Sequence, residues 1–243
     1  MQTVSLSLFR FAPGLPRLWV LGQMALARMD FARIPEARFW KLCGSGTGEG
    51  FTPRPNLGVW AILAVWDTEA LARDHVSQAA VYRRWTDHAT ESMTLFMRPA
   101  SVRGKWSGMT PFEAQKGDAT GPLAALTRAT VRPGKLLKFW RRVPDISAVI
   151  GEDPNVMFKI GIGEVPMLHQ VTFSVWPDAA AMAHFARGDG PHGRAIQAVR
   201  DERWFREELY ARFHILGSSG LWNGRDPLAP APPTGPPSIK DAA

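Results

Sequence analysis

The chain has 243 residues, 45% of them hydrophobic, enough to bury a core as one large or two small domains. Its net charge of +7 comes from scattered Lys and Arg rather than from runs, which speaks against nucleic acid and toward an acidic protein partner or anionic lipid. A lone cysteine, Cys43, rules out an intrachain disulfide and fits a reducing compartment; with no signal-like start and no long apolar run, the reading is a cytoplasmic protein, or one lying on a membrane without crossing it.

The first predicted element is a strand over 3–11, where Val4, Leu6 and Leu8 alternate onto one face. Residues 15–29 have helical composition, 39–43 read as a short strand, and 59–66 is an apolar run of β-branched and aromatic residues. Asp67 is the expected N-cap of the helix that follows. Tyr82, Trp85, Ala89, Ser92, Met93 and Phe96 fall at helical spacing on a further helix, and Pro99 leads into a strand ending near Trp106. The same order then returns: strand 123–131, a helix after Pro133-Gly134, strands 156–162 and 168–176, helices 178–187 and 191–212, and a strand over 213–222.

Three segments recur in register. Phe39-Trp40-Lys41-Leu42 matches Met157-Phe158-Lys159-Ile160, the run ending Val65-Trp66-Asp67 matches the one ending Val175-Trp176-Pro177-Asp178, and Gly104-Lys105-Trp106-Ser107-Gly108 matches Gly220-Leu221-Trp222-Asn223-Gly224. The expected fold is therefore α+β: a tandem duplication of a ferredoxin-like unit, packed as one α+β barrel. Its expected divisions are a first repeat at 1–109, a linker at 110–121, a second repeat at 122–224 and a Pro-rich disordered tail at 225–243.

Four residues are candidates for chemistry. The run Gly44-Ser45-Gly46-Thr47-Gly48-Glu49-Gly50-Phe51 lacks the Lys-Ser/Thr of a phosphate loop and leads into a strand. It reads either as a long flexible hairpin or as a loop whose amides, with Arg54, line a pocket and hold a carboxylate. No His-x-x-x-His or Glu-x-x-His spacing marks a zinc or di-iron site, yet a single histidine can ligate haem iron. His192, after Pro191 in the first turn of a predicted helix, is the best placed, with Arg194 beside it; a structural histidine is the plainer reading. Cys43 is the alternative ligand, or an ordinary buried thiol. Ten Trp and thirteen Phe against two Tyr suit a greasy pocket as well as a ring-rich core.

The segments Thr3-Val4-Ser5-Leu6-Ser7-Leu8-Phe9-Arg10-Phe11, Arg17-Leu18-Trp19-Val20-Leu21-Gly22-Gln23-Met24-Ala25, Phe39-Trp40-Lys41-Leu42-Cys43 with the glycine run, and 190–213 resemble the spheroidene monooxygenase family, the acyclic carotenoid 2-ketolases of purple photosynthetic bacteria. The resemblance extends to about Trp222. It implies insertion of oxygen at C-2 of a spheroidene-type carotenoid by successive hydroxylations to a ketone. It also implies molecular oxygen, reduced ferredoxin, haem, and peripheral contact with the photosynthetic membrane. It carries no axial ligand, so His192, or alternatively Cys43, rests on local pattern alone, as do Arg54 and Arg194 as cofactor contacts. The alternative is a non-catalytic haem- or apolar-ligand-binding protein of the same fold.

Overall fold

Strand β1 (Thr3–Arg10) alternates Val4, Leu6 and Leu8 inward with Ser5, Ser7 and Phe9 outward, and nearly every residue is buried because the barrel wall is covered on both sides. A computed structural model describes residues 1–117, 120–141, 155–187 and 204–229. Among these, β1 is followed by helix α1 (Leu15–Phe31), β2 (Phe39–Gly46), β3 (Pro55–Trp66), α2 (Glu69–Gln78), α3 (Ala80–His88) and β4 (Glu91–Gly104). The second half brings β5 (Leu123–Val131), a 3-10 turn (Pro133–Lys135) leading into helical residues 136–141, β6 (Phe158–Gly163), β7 (His169–Trp176), α4 (Ala179–Arg187) and β8 (Phe205–Gly220).

The strands close into an antiparallel barrel in the order β1-β3-β2-β6-β7-β5-β8-β4. Each half therefore has its own four-stranded sheet, β2-β3-β1-β4 and β6-β7-β5-β8, with the split βαβ order of a ferredoxin-like unit. The seams between halves are unequal. Strands β4 and β8 pair from Met93↔Gly220 to Gly104↔Leu209, whereas β2 and β6 share only Gly44↔Gly163 and Ser45↔Ile162. Inward residues from all strands, with Trp106 and Phe112, form one core, and α1, α2 and α3 cover the outer face of the first sheet with a second core built on Trp85 and Tyr82. Trp85 packs edge-on to Phe9 at 5.3 Å, a burial whose loss on truncation to Ala costs about 3–5 kcal/mol.

Several local expectations change. The N-cap of α2 is Thr68, whose hydroxyl accepts from Leu71 N at 3.2 Å, while Asp67 turns outward to Arg38. The helix carrying Tyr82 and Trp85 ends at His88, so Ser92, Met93 and Phe96 belong to β4; an apolar stripe at helical spacing ran across a helix–strand boundary. Pro99 sits inside β4 at a register shift rather than before it. The helix expected to reach Arg212 gives way to β8 from Phe205: the Glu- and Arg-rich composition reads as helix, but Leu209, Ala211 and Phe213 alternate into the barrel. Phe112, in the stretch expected as a linker, is buried against Trp106 and Phe213, and Leu228 packs on the barrel core. Among the described residues no helix is long and apolar enough to cross a membrane.

Candidate functional site

Strand register aligns the two halves residue by residue, because Thr3 and Leu123 each pair with the Trp that ends the neighbouring strand, Trp66 or Trp176. On the outer face of the first sheet stand Phe9, Leu42, Trp60, Ile62 and Phe96, packed under the helices. Their register equivalents in the second sheet are Ala129, Gly161, Gln170, Thr172 and Arg212. One face is filled with rings; the other has lost them. A close-packed interior does not tolerate such a loss of side-chain volume unless something else takes the space. The described part of α4 covers only the margin of this face, where Met182 and Phe185 meet Leu123 and Trp176. Among the described residues this face is a bed with a floor of small side chains and polar neighbours of both signs: Lys159, Arg212, Thr127, Tyr210 and Glu208, which pairs with Ala129.

The glycine hairpin, residues 47–54, crosses from the first half onto the second. Gly161 N donates to Glu49 O at 2.7 Å, Ser45 Oγ donates to Gly161 O at 2.9 Å, and Lys159 pairs with Glu49 at 2.9 Å. Phe51 is buried against Trp140 beside Leu136 and Phe139. The segment is a seated strap, not a free hairpin. Arg54 is exposed near its end, and its backbone carbonyl accepts from Thr47 N. His192 and Arg194 lie outside the described residues.

Where β2 and β6 diverge, a cleft of about 370 Å³ opens beside the strap. Val59, Met157, Phe158, Ile160 and Trp222 give it apolar walls, and Arg10, Glu49, Lys159 and Arg225 charge its rim. Arg10 is held over the Trp222 ring at 4.5 Å and against Glu91 at 3.2 Å.

A second cluster lies inside the barrel wall. Arg128, 1% exposed, pairs with Glu207 and lies 3.7 Å from Glu164. Glu164 also meets Lys41 at 3.2 Å and His169 at 3.5 Å, and accepts from Trp106 Nε1 at 2.9 Å. Burial alone would raise the Glu207 carboxyl, but the Gly108 and Ser107 amides and the Arg128 guanidinium outweigh it and hold the group below the ordinary carboxylate range. Burial first, then Arg128 and Lys41, lowers the His169 imidazole, with Glu164 and Glu207 opposing. Cys43 is fully buried in the barrel core; burial pushes its thiol far up, Glu164 adds to this, and Lys41 and Arg128 oppose. Sequence reading missed this cluster. The available signal was Arg128 at an inward position of an otherwise apolar alternation.

No family model matches the chain. A spheroidene monooxygenase of Cereibacter sphaeroides is 56% identical over 233 residues, covering 95% of this chain and 72% of that protein. The spheroidene monooxygenase of Rhodobacter capsulatus is 55% identical over 94% of this chain and 96% of its own length, and that of Rubrivivax gelatinosus 34% identical over 86% and 80%. Among solved structures, an aldoxime dehydratase has a TM-score of 0.61 at 10% identity, covering 88% of this chain and 81% of that chain. At that identity the likeness extends to the fold alone.

Proposed function

This chain belongs to the spheroidene monooxygenase family, and from that premise we propose that it oxygenates C-2 of a spheroidene-type acyclic carotenoid, using O2, electrons from reduced ferredoxin and a haem. The observation that carries the haem reading is the bed on the outer face of the second sheet: Ala129 and Thr172 stand where the first sheet has Phe9 and Ile62, beside Gly161, which the strap covers. A flat, largely apolar group with two carboxylates fits a floor of small residues flanked by Lys159 and Arg212. Arg54, Arg194 and the amides of the strap are further contacts proposed for the carboxylates.

The reaction itself demands such a group. The C-2 hydrogens of a polyene hydrocarbon are not acidic enough for a side-chain base, so the substrate cannot be prepared for ground-state oxygen by deprotonation. When bound, haem supplies the one-electron and O2 chemistry that no amino-acid side chain of this chain carries. Each turnover places one oxygen atom in a C–H bond and reduces the other to water, consuming two electrons and two protons. A second turnover at the same carbon gives a gem-diol, which loses water to leave the ketone.

The protein residues bind and orient. The apolar walls of the cleft, Val59, Met157, Phe158 and Trp222, pack on the barrel-interior core and are proposed to hold hydrocarbon distant from the reacting carbon, with Arg10 and Lys159 at the rim. His192 is the residue that would ligate the haem iron. Cys43 faces the barrel interior, on the opposite side of the wall from the bed, and its burial favours the neutral thiol over the thiolate that binds metal. The basic surface suits an acidic electron donor.

The test fills the bed. In Ala129→Phe/Thr172→Ile the second sheet receives the side chains of the first, and the variant should lose the Soret band of the haem-supplemented protein and its turnover of spheroidene with ferredoxin. Full Soret intensity in the double variant would remove the bed as the haem site. A wild-type protein with no Soret band at all would end the haem reading.

A further inference from the structure

Helix α1 is apolar on both sides. Val20, Gln23, Ala27 and Phe31 face the core. Its exposed residues are Leu15, Leu18, Leu21, Gly22, Ala25, Leu26, Arg28 and Met29, of which only Arg28 is charged. Leu15 is 79% exposed, Leu18 64% and Met29 56%. A surface helix ordinarily turns its polar residues to water. Here about four turns of it present leucine and methionine instead.

We infer that this face of α1 is a docking surface for an anionic lipid bilayer, and that it delivers the protein to its substrate with the cleft at the lipid surface. Two observations choose the bilayer. Charge is complementary: Arg28 on the helix and Arg33 just beyond it are exposed, and the only acid of α1, Asp30, is neutralised by Arg84 at 2.5 Å. Position links the surface to the site. Arg17 in the first turn of α1 lies against Gly58, which sits between Asn56 and Val59 of the cleft, and Leu57 beside it is a further exposed apolar side chain.

Docking by leucine insertion makes chemical sense for a hydrocarbon substrate, which resides in the bilayer and has negligible concentration in water. This part of the inference rests on the carotenoid reading, but the binding surface can be measured separately. The full-length protein is floated with vesicles of phosphatidylglycerol and phosphatidylcholine, and with pure phosphatidylcholine. The wild type should float with the anionic vesicles and release with salt. Leu18→Gln/Leu26→Gln should weaken partitioning by roughly tenfold or more, about the effect of withdrawing one leucine from an apolar phase.

Both substitutions are at exposed positions, so the melting temperature should not move, and turnover of detergent-dispersed carotenoid should match the wild type while turnover from vesicles falls. Turnover in detergent without flotation would overturn the surface and leave the activity standing. Flotation without turnover in either format would uphold the surface and defeat the activity. A wild-type dimer that the double variant converts to monomer, with no vesicle binding, would assign the face to a second copy and overturn the bilayer proposal.

Discussion

Gly50 stands directly over Gly161: a Cβ on Gly50 would come within 1.7 Å of the Gly161 carbonyl oxygen, and Gly50 has φ +93. The strap from the first half can lie on the second only because neither residue has a side chain. Gly50→Ala should therefore cost more than backbone conformation alone. Gly14, with φ +88 and nothing within 4 Å, supplies the comparison. Gly14→Ala should cost about 1–3 kcal/mol, because φ +88 with ψ −139 is a backbone region alanine rarely enters. Gly50→Ala should exceed it by at least ~1 kcal/mol and expose residues 47–54 to protease. Equal melting temperatures for the two variants would show that the strap does not depend on this contact.

Glu207 and Glu91 have matching roles at the two ends of the β4–β8 seam: each accepts from the glycine amide of a Trp-x-Gly turn in the other half, Gly108 or Gly224, at 2.7 Å. Their arginine partners differ. Arg128 is 1% exposed, whereas the Arg10 side chain is 39% exposed. Glu207→Gln should cost about 3 kcal/mol, because it leaves a buried guanidinium with only the more distant Glu164. Glu91→Gln should cost below ~1 kcal/mol. Urea denaturation of both variants checks this, and similar midpoints would contradict the difference in burial.

His169 gives a pH dependence of determined sign. Its folded pKa is lowered by burial, so the unfolded chain binds the proton first as pH falls. Its contribution is present above the ordinary imidazole pKa of about 6.5 and is lost as pH falls through that value toward the lower folded pKa. His169→Gln should flatten the stability profile between roughly pH 7 and 5. An unchanged slope would place that titration elsewhere.

Axial ligation separates two candidates. In haem-supplemented protein the Soret band should disappear or shift in His192→Ala and stay unchanged in Cys43→Ala. The Cys43 thiol should also resist labelling by a thiol reagent until the protein is denatured. A Soret change confined to Cys43→Ala would reverse the assignment.

The duplication was legible because its carriers are covalent landmarks: Trp66 and Trp176 end equivalent strands, and Trp106 and Trp222 mark equivalent turns. Alternation identified β1 through Val4, Leu6 and Leu8, and the returning order of elements placed β5. It failed at β4 and β8. Ser92, Met93 and Phe96 mimic a helical stripe, and the Glu-Arg-rich start of β8 has helical composition; only pairing across the barrel decides both. The glycine run was recognised, but its partner Gly161 is 111 residues away in sequence and had no local signal. The Arg128–Glu207–Glu164 cluster draws on three separate elements, and the bed is defined by side chains that are missing. An absence of rings becomes visible only when the two halves are placed in register.

That asymmetry has a stoichiometric consequence. A homodimer of one ferredoxin-like unit would present two identical outer faces, both filled or both empty. Joining the copies in one chain has let one face keep its rings and fold without a ligand, while the other gave them up. If the second face holds a flat group as proposed, it holds one per chain, and because both halves share one core the chain should still melt as a single unit.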